Sequence, residues 1–464
     1  MKVLETDYLV IGCGAAGMAF TDSLCAHSGA DVIMVDRREA PGGHWNVAYP
    51  FVRLHQPSSY YGVNSLPLGT DAIQQHGPNK GFYEQSDAPG LQAYFRRVME
   101  ERFLASGRVR HFPACEYIGG RRFTSLRAGE SYEVKVRRKV VDAAYLEPSV
   151  PATTPPPFEI EPGARCIPVG ELPTSVSQAD DFVIIGAGKT AMDACLWLLD
   201  QAVAPERIRW VKPREAWLVN RAYVQGRDQV ATLMDGVSLQ LEAAARAASA
   251  DELFDGLVAT GQWMAPGAGI RPTMYKAAIT SAGELEQLGR IENVVRLGRV
   301  RRLERDAIRL EQGSVATQRK FLHVHCATIG LNRAASVPMF AEDRITLQPI
   351  RTGLIPFNAA MAGFIEATRD DTAAKNRLCP PNRLPDEPLD WVRGTLIGTR
   401  ADYLWSKEPD VAAWLEQARL NPMQGLRARG DDATVQRALR RYVQNAGPAL
   451  EKLASFLASA APRQ

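Results

Sequence analysis

No two cysteines in this 464-residue chain lie closer than twelve positions. The seven, at 13, 25, 115, 166, 195, 326 and 379, form neither a CxxC nor a CxxxxC pair. That excludes a dithiol oxidoreductase and removes zinc-type ligand spacing, so the thiols read as buried and free and no metal is expected. Long apolar runs are missing too: nothing approaches the roughly 20 residues that span a bilayer. At the N-terminus, MKVLETD, acids follow the one lysine at once and no cleavage pattern appears. No membrane partner and a cytoplasmic location are therefore expected. An excess of one charge sign is lacking as well. A formal net charge of +3 gives no reason to expect nucleic acid. Clusters such as Arg299, Arg301 and Arg302 alternate with acids and read as exposed strand faces. What remains, 45% hydrophobic and 23% charged, suits a globular protein of two or three domains.

The stretch 184-IIGAGKTAMDA-194 contains Gly-Lys-Thr, the end of a nucleotide-triphosphate loop. That loop needs a glycine five positions before its Gly-Lys pair, and counting back from Gly188 gives Val183, inside an apolar run. The dinucleotide pattern GxGxxA fits instead. Phe182 to Ile185 make a short strand and Gly186 turns the chain. Gly188 lets backbone approach a pyrophosphate, and Ala191 lets the next helix pack closely. Thr190 to Leu199 reads as that helix, its N-terminus facing phosphate. Lys189 reads as an exposed helix-start residue, grouped with Thr190 near the cofactor.

A stricter copy lies at 8-YLVIGCGAAGMAFTDSL-24, where Gly12, Gly14 and Gly17 form GxGxxG between a strand and a helix. The strand 31-DVIMVD-36 ends in Asp36, nineteen residues after Gly17, where a carboxylate accepts from an adenosine ribose. Next comes 41-PGGHW-45, whose glycines let the chain fold back over the phosphates of a flavin nucleotide. In the second unit the strand 207-RIRWVKPRE-215 carries Lys212, then Arg214, where the first has its acid. Cations attract a 2′-phosphate, so NADPH is expected over NADH.

Along the chain, 89–106 has helical periodicity and Tyr132 to Val136 reads as a strand. The proline-rich 148–173 reads as an extended connection and not a packed element. Residues 228–262 look helical, 294–312 read as strands with a turn, and 396–464 as helices with Tyr403, Trp405 and Trp414. Those last pack the core, cap the site or join subunits of a homo-oligomer. The expected fold class is α/β, with two dinucleotide-binding domains, the second inserted in the first, and a helical C-terminal region. The boundaries read as 1–175 and 326–395 for the first domain, 176–325 for the second, and 396–464 for the helices.

Two dinucleotide motifs in this order, GG-x-W after the first and no redox cysteines resemble class B flavoprotein monooxygenases: the flavin-containing, Baeyer–Villiger and N-hydroxylating enzymes. The resemblance implies Rossmann-like domains for FAD and NADPH. It places Ala16, Arg37, Gly43, His44 and Trp45 with FAD, and Thr328 and Gly330 of 321-FLHVHCATIGL-331 on the strand returning to the FAD domain. Within 52-VRLHQPSSYYG-62, Arg53 and Pro57 match the flavin-containing branch. His55 stands where that branch has an asparagine near the flavin's reactive carbon. A histidine carries a proton near neutral pH, so His55, with Gln56 and Arg53, is the candidate catalytic group. The chain departs from the family in lacking an FxGxxxH segment before the second motif and a Gly-Asp in the return segment, which marks a divergent branch. The implied activity is transfer of one oxygen atom from O2 to a small organic substrate through a C4a-(hydro)peroxyflavin. An NADPH-dependent reductase or oxidase, and a non-catalytic NADPH-binding flavoprotein, stay open, because the glycines serve all three.

Overall fold

The computed structural model describes residues 1–460 except 268, 319 and 329. The chain is α/β, with two sheets whose parallel strands follow the same plan; Arg122–Ser125 and Cys115–Gly119 extend the first sheet antiparallel beyond Ser131–Asp142. In the first unit β1 (Lys2–Ile11) leads through the glycine turn into α1 (Ala15–His27) and then β2 (Val32–Val35). After α2 (Ala88–Val98) come β3 (Val109–Phe112) and β4 (Ser131–Asp142). The strands lie in the order β3-β2-β1-β4, all parallel. Ile11, Val35, Phe112 and Asp142 are aligned at their C-terminal edge. Apolar runs on both β1 and β2 fit strands covered on two faces. β4 runs further than the Tyr132–Val136 read from the sequence, because its charged stretch includes Lys139, which is buried against Glu366.

The second unit repeats this plan. β5 (Cys166–Pro168) precedes β6 (Asp181–Ile185), α3 (Lys189–Asp200) and β7 (Ile208–Val211). β8 (Ala216–Asn220), α4 (Val230–Arg246), β9 (Met274–Thr280), α5 (Ala282–Gly289), β10 (Val294–Val295) and β11 (Phe321–His325) follow. Its parallel sheet runs β10-β7-β6-β11-β5. The expectation that 148–173 stays unpacked is corrected here. β5 is the sheet's outer strand, carrying the second unit upstream of residue 176, and Glu159–Ile160 pairs with Arg302–Leu303. An edge position tolerates proline because one side of the strand needs no ladder donors. The chain passes between units through a two-stranded ribbon, Pro148–Ser149 antiparallel to Gly330–Leu331.

After the ribbon, β12 (Arg344–Thr346) joins β4 as the fifth parallel strand of the first sheet. α6 (Ile355–Thr368) packs on α1, a contact so close that a Cβ on Gly363 would stand 2.4 Å from the Phe20 carbonyl oxygen. α7 (Pro388–Ser406) and α8 (Ala433–Ser459) complete the helical end, with α8 lying along α4. Trp405 and Trp414 are core residues against Phe357 and Phe364, whereas Tyr403 is exposed. Among the described residues no helix is long and apolar enough to cross a membrane.

Candidate functional site

Both glycine loops end in helices without a cap of their own. α1 starts after Gly14 and α3 after Gly188, and neither has a side-chain cap or an acid in its first turn. Other helices are capped by Asp87, Ser281, Asp371 and Asp432. The two bare ends keep amide donors and a positive helix terminus for an anion such as a pyrophosphate.

The first loop is shaped to exclude side chains. A Cβ on Gly17 would stand 2.1 Å from the Gly12 carbonyl oxygen, and one on Gly43 would stand 2.9 Å from the Gly14 Cα. The turn at Gly42 and Gly43 thus rests backbone on backbone against the loop, tied by Gly42 N donating to the Cys13 carbonyl at 2.8 Å. Asp36 is buried and accepts from Cys13 N at 2.6 Å and Arg38 N at 2.8 Å. A carboxylate has about four acceptor positions, which leaves capacity for ribose hydroxyls. These residues fit the adenosine diphosphate half of FAD. Arg37 is ion-paired with Glu147, which Arg38 also reaches at 3.3 Å. Trp45 belongs to the core, its indole donating to Tyr61 Oη at 2.9 Å. His44 packs on Trp45; burial, then Arg38, pushes it down to about 4, so it is neutral at pH 7. Ala16 packs partly buried on the same core.

In the second loop Gly186 faces the return strand, where its Cβ would stand 3.2 Å from the Cys326 backbone. Ala191 is fully buried in the place of Gly17. Lys212 follows Val211 just as Asp36 follows Val35 in the matching register. It is nevertheless buried, 2.5 Å from Glu215 and over the Trp210 ring at 4.3 Å. Arg214 lies 3.6 Å from Asp386. Both expected phosphate ligands are therefore already matched with carboxylates. Glu215 also takes Arg296 at 2.9 Å. Lys212, Glu215 and Arg296 edge a cavity of about 180 Å³ whose other wall includes Ala187 of the loop, Met192, Leu218 and Leu288. A polar edge on an apolar slot beside a glycine loop fits an adenosine.

The two units meet along residues 49–56. Tyr49 Oη donates to Asp193 of α3 at 2.6 Å, and the other oxygen of Asp193 takes Lys189. Lys189 is accordingly folded back one turn of helix, not exposed as its place in the sequence suggested; its side chain is 12% exposed. Thr190 contacts Tyr49 from the same turn. Phe51 stacks on Trp197, one turn further along. The His55 carbonyl accepts from Arg221, a residue 1% exposed that pairs with Glu284 at 2.9 Å. Thr280 and Asn79 also donate to Glu284, both at 2.8 Å. Burial works to raise the Glu284 carboxyl, but Arg221, Lys189 and these hydrogen bonds outweigh it and hold it well below the usual range. Burial pushes the His55 ring down to about 3, with Lys189 and Arg221 adding to the effect. His55 is therefore neutral at pH 7. Gln56 is buried beside it and donates to the Tyr60 carbonyl at 3.5 Å.

Arg53 does not join this cluster. It is exposed, donates to the Gln85 carbonyl at 3.3 Å and acts on Asp200. Asp200 ends the helix that Lys189 begins, about 16 Å away at the helical rise. Thr328 is half-buried, two positions beyond Cys326, while Gly330 lies in the ribbon opposite Ser149. The sequence reading missed Tyr49, Arg221, Glu215, Glu284 and Arg296. Ser281 and Glu284 form a capping box that the spacing S-x-x-E signals. Arg221 and Arg296 carry no local signal, because their carboxylates lie 63 and 81 positions away.

No family model matches the chain. It is 45% identical over 421 residues to the uncharacterized protein Rv2000 of Mycobacterium tuberculosis, covering 90% of this chain and 78% of that protein. The uncharacterized protein Mb2023 of Mycobacterium bovis matches with the same identity and coverage. Among solved structures, the polycyclic ketone monooxygenase of the thermophilic fungus Thermothelomyces thermophila has the same fold. Its TM-score is 0.50 at 12% identity, covering 99% of this chain and 89% of that one.

Proposed function

This chain belongs to the family of the mycobacterial protein Rv2000, a divergent branch with the class B flavoprotein monooxygenase fold, and on that premise we propose that it is an FAD- and NADPH-dependent monooxygenase. Its reaction would place one oxygen atom of O2 in a small organic substrate. The observation that carries this reading is the junction, where the segment after the FAD-type loop lies directly on the helix of the NADPH-type loop. Gly12, Gly14, Gly17, Asp36 and Gly43 would hold FAD, and Gly186, Gly188, Ala191 and the polar edge of the cavity beside them would hold NADPH. When bound, the two cofactors supply hydride transfer and oxygen activation. The chain's own residues supply position. Tyr49 ties residues 49–56 to α3, and Arg221, paired with buried Glu284 of α5, ties the His55 carbonyl to the turn after β8. His55, neutral, offers one ring donor and one acceptor at this junction and holds no resting charge.

An NADPH-dependent reductase or oxidase would need the same residues. A thiol relay within the chain has no support: each of the seven thiols is pushed above its ordinary value, chiefly by burial, away from the thiolate that reacts. The deciding experiment reduces the flavin-loaded protein anaerobically with NADPH. It then admits ¹⁸O2 with a panel of small amines, sulfides and ketones. One labelled atom in an organic product supports the monooxygenase. Hydrogen peroxide equal to the NADPH consumed, whatever the substrate, overturns it in favour of an oxidase, and a protein that never retains flavin overturns both.

A further inference from the structure

The cavity beside the second glycine loop allows one step more, resting on the reading of this unit as a nicotinamide dinucleotide site. Strand register places Arg296 where the sequence did not. Val211 pairs with Val295, so the residues that follow them, Lys212 and Arg296, stand side by side at the C-terminal edge of the sheet. Ligands of open α/β sheets sit beyond that edge. Arg296 lines the cavity, and Arg214 is not among its lining residues.

The three charges at this edge have different freedom. Lys212 and Glu215 are buried, with side chains 6% and 4% exposed, and Lys212 is further confined over Trp210. Arg296 is 39% exposed and gives only its Nε to Glu215, so its two terminal nitrogens have no hydrogen-bond partner among the described residues. Two cations against one carboxylate leave the group net positive. Just beyond, Arg214 and Arg333 share Asp386 at 3.6 and 2.7 Å, and Lys276 lies in the field of both. A dianion is favoured at such an edge, and a guanidinium held by one nitrogen presents the others as a fork to phosphate oxygens.

We propose that Arg296, oriented by Glu215, reads a phosphomonoester on the adenosine ribose of the dinucleotide, and that Lys212 is the buried counter-ion of Glu215 and not the phosphate ligand. Arg296 is thus the specificity-determining residue of the second site, and Glu215 a positioning residue.

Calorimetric titration of the flavin-bearing protein with 2′,5′-ADP and 5′-AMP tests this without turnover. The wild-type protein is expected to prefer 2′,5′-ADP by about tenfold or more. Arg296→Ala should weaken 2′,5′-ADP by about tenfold to a hundredfold, the range for a lost charged hydrogen-bonding group, and leave 5′-AMP within about twofold. Arg214→Ala should change either by less than about threefold. Arg296→Met keeps the aliphatic stem and decides the matter by the same ratio if Arg296→Ala does not fold. A loss in Arg214→Ala as large as in Arg296→Ala, or an equal loss of both ligands in Arg296→Ala, overturns the proposal. Equal affinity of the wild type for both ligands overturns the proposal and leaves the nucleotide site standing. Binding of neither ligand overturns the nucleotide reading itself and the proposal with it.

Discussion

The first and second dinucleotide units share strand register through their glycine turns, and they differ in charge at the residue that follows the second strand. Gly12 N bonds the Val35 carbonyl at 2.8 Å, and Gly186 N bonds that of Val211 at 3.0 Å. Ala143 faces Gly12 across the turn as Cys326 faces Gly186. The residue after Val35 is Asp36, whose carboxylate binds the loop amide of Cys13. The residue after Val211 is Lys212, which has nothing to accept with and pairs instead with Glu215. The same backbone edge therefore carries a carboxylate tied to its loop in one unit and an ion pair turned away from it in the other. Backbone geometry builds two dinucleotide cradles, and one side chain decides what each edge offers.

Exchanging the two residues should break that comparison most severely. Lys212→Asp sets a second carboxylate beside buried Glu215 and is expected to cost about 3–5 kcal/mol, as breaking a buried pair does. Asp36→Lys leaves the Cys13 and Arg38 amides without their acceptor and should cost about 1–3 kcal/mol. Urea unfolding checks both, and equal costs would contradict the asymmetry. Next in size is the close helix. Gly17→Ala forces a Cβ against the Gly12 carbonyl, so a loss of about 1–3 kcal/mol with loss of bound flavin is expected. The opposite change, Ala191→Gly, should cost about 1 kcal/mol and leave bound flavin unchanged, read from absorbance after gel filtration.

Acid should act on both units. His44 in the first and His323 in the second are each held at about 4, mainly by burial, and His55 between them at about 3. Their folded values lie below the unfolded 6.5, so the unfolded chain binds more protons in that window. Their contribution is complete above pH 6.5 and is lost as pH falls toward 3–4, at up to about 1.4 kcal/mol per pH unit for each histidine. Thermal unfolding of wild type and His55→Asn from pH 7 to 5 measures this, and the variant should show the shallower slope. The smallest effect is Tyr49→Phe, which removes one donor to Asp193 and should cost about 0.5–1.5 kcal/mol. An unchanged unfolding midpoint would mean that the contact between units does not depend on that bond.

The parts of this molecule that were legible in the sequence are those whose partners are local. Gly12, Gly14, Gly17 and Asp36 form one strand–turn–helix–strand unit, and Gly186 to Ala191 form another, so spacing alone signals them. Long-range partners hide the rest. Lys139 looks like the end of a strand until Glu366, 227 positions on, takes its charge at 3.3 Å. Cys166–Pro168 looks like linker until β11 pairs with it. At the candidate site His55 was found by its place in a motif, but its neutrality comes first from burial and then from Lys189 and Arg221, none of which a linear pattern reveals.

The ribbon of Pro148–Ser149 against Gly330–Leu331 has a consequence for how such a chain is assembled and altered. Entry and exit of the inserted unit lie side by side, hydrogen-bonded to each other. A segment whose ends meet behaves as a cassette. Exchanging residues 150–329 for the matching segment of a relative leaves both splice points within one pair of strands and the first sheet, with its return strand, uncut. What such an exchange has to refit is the packing of α8 along α4.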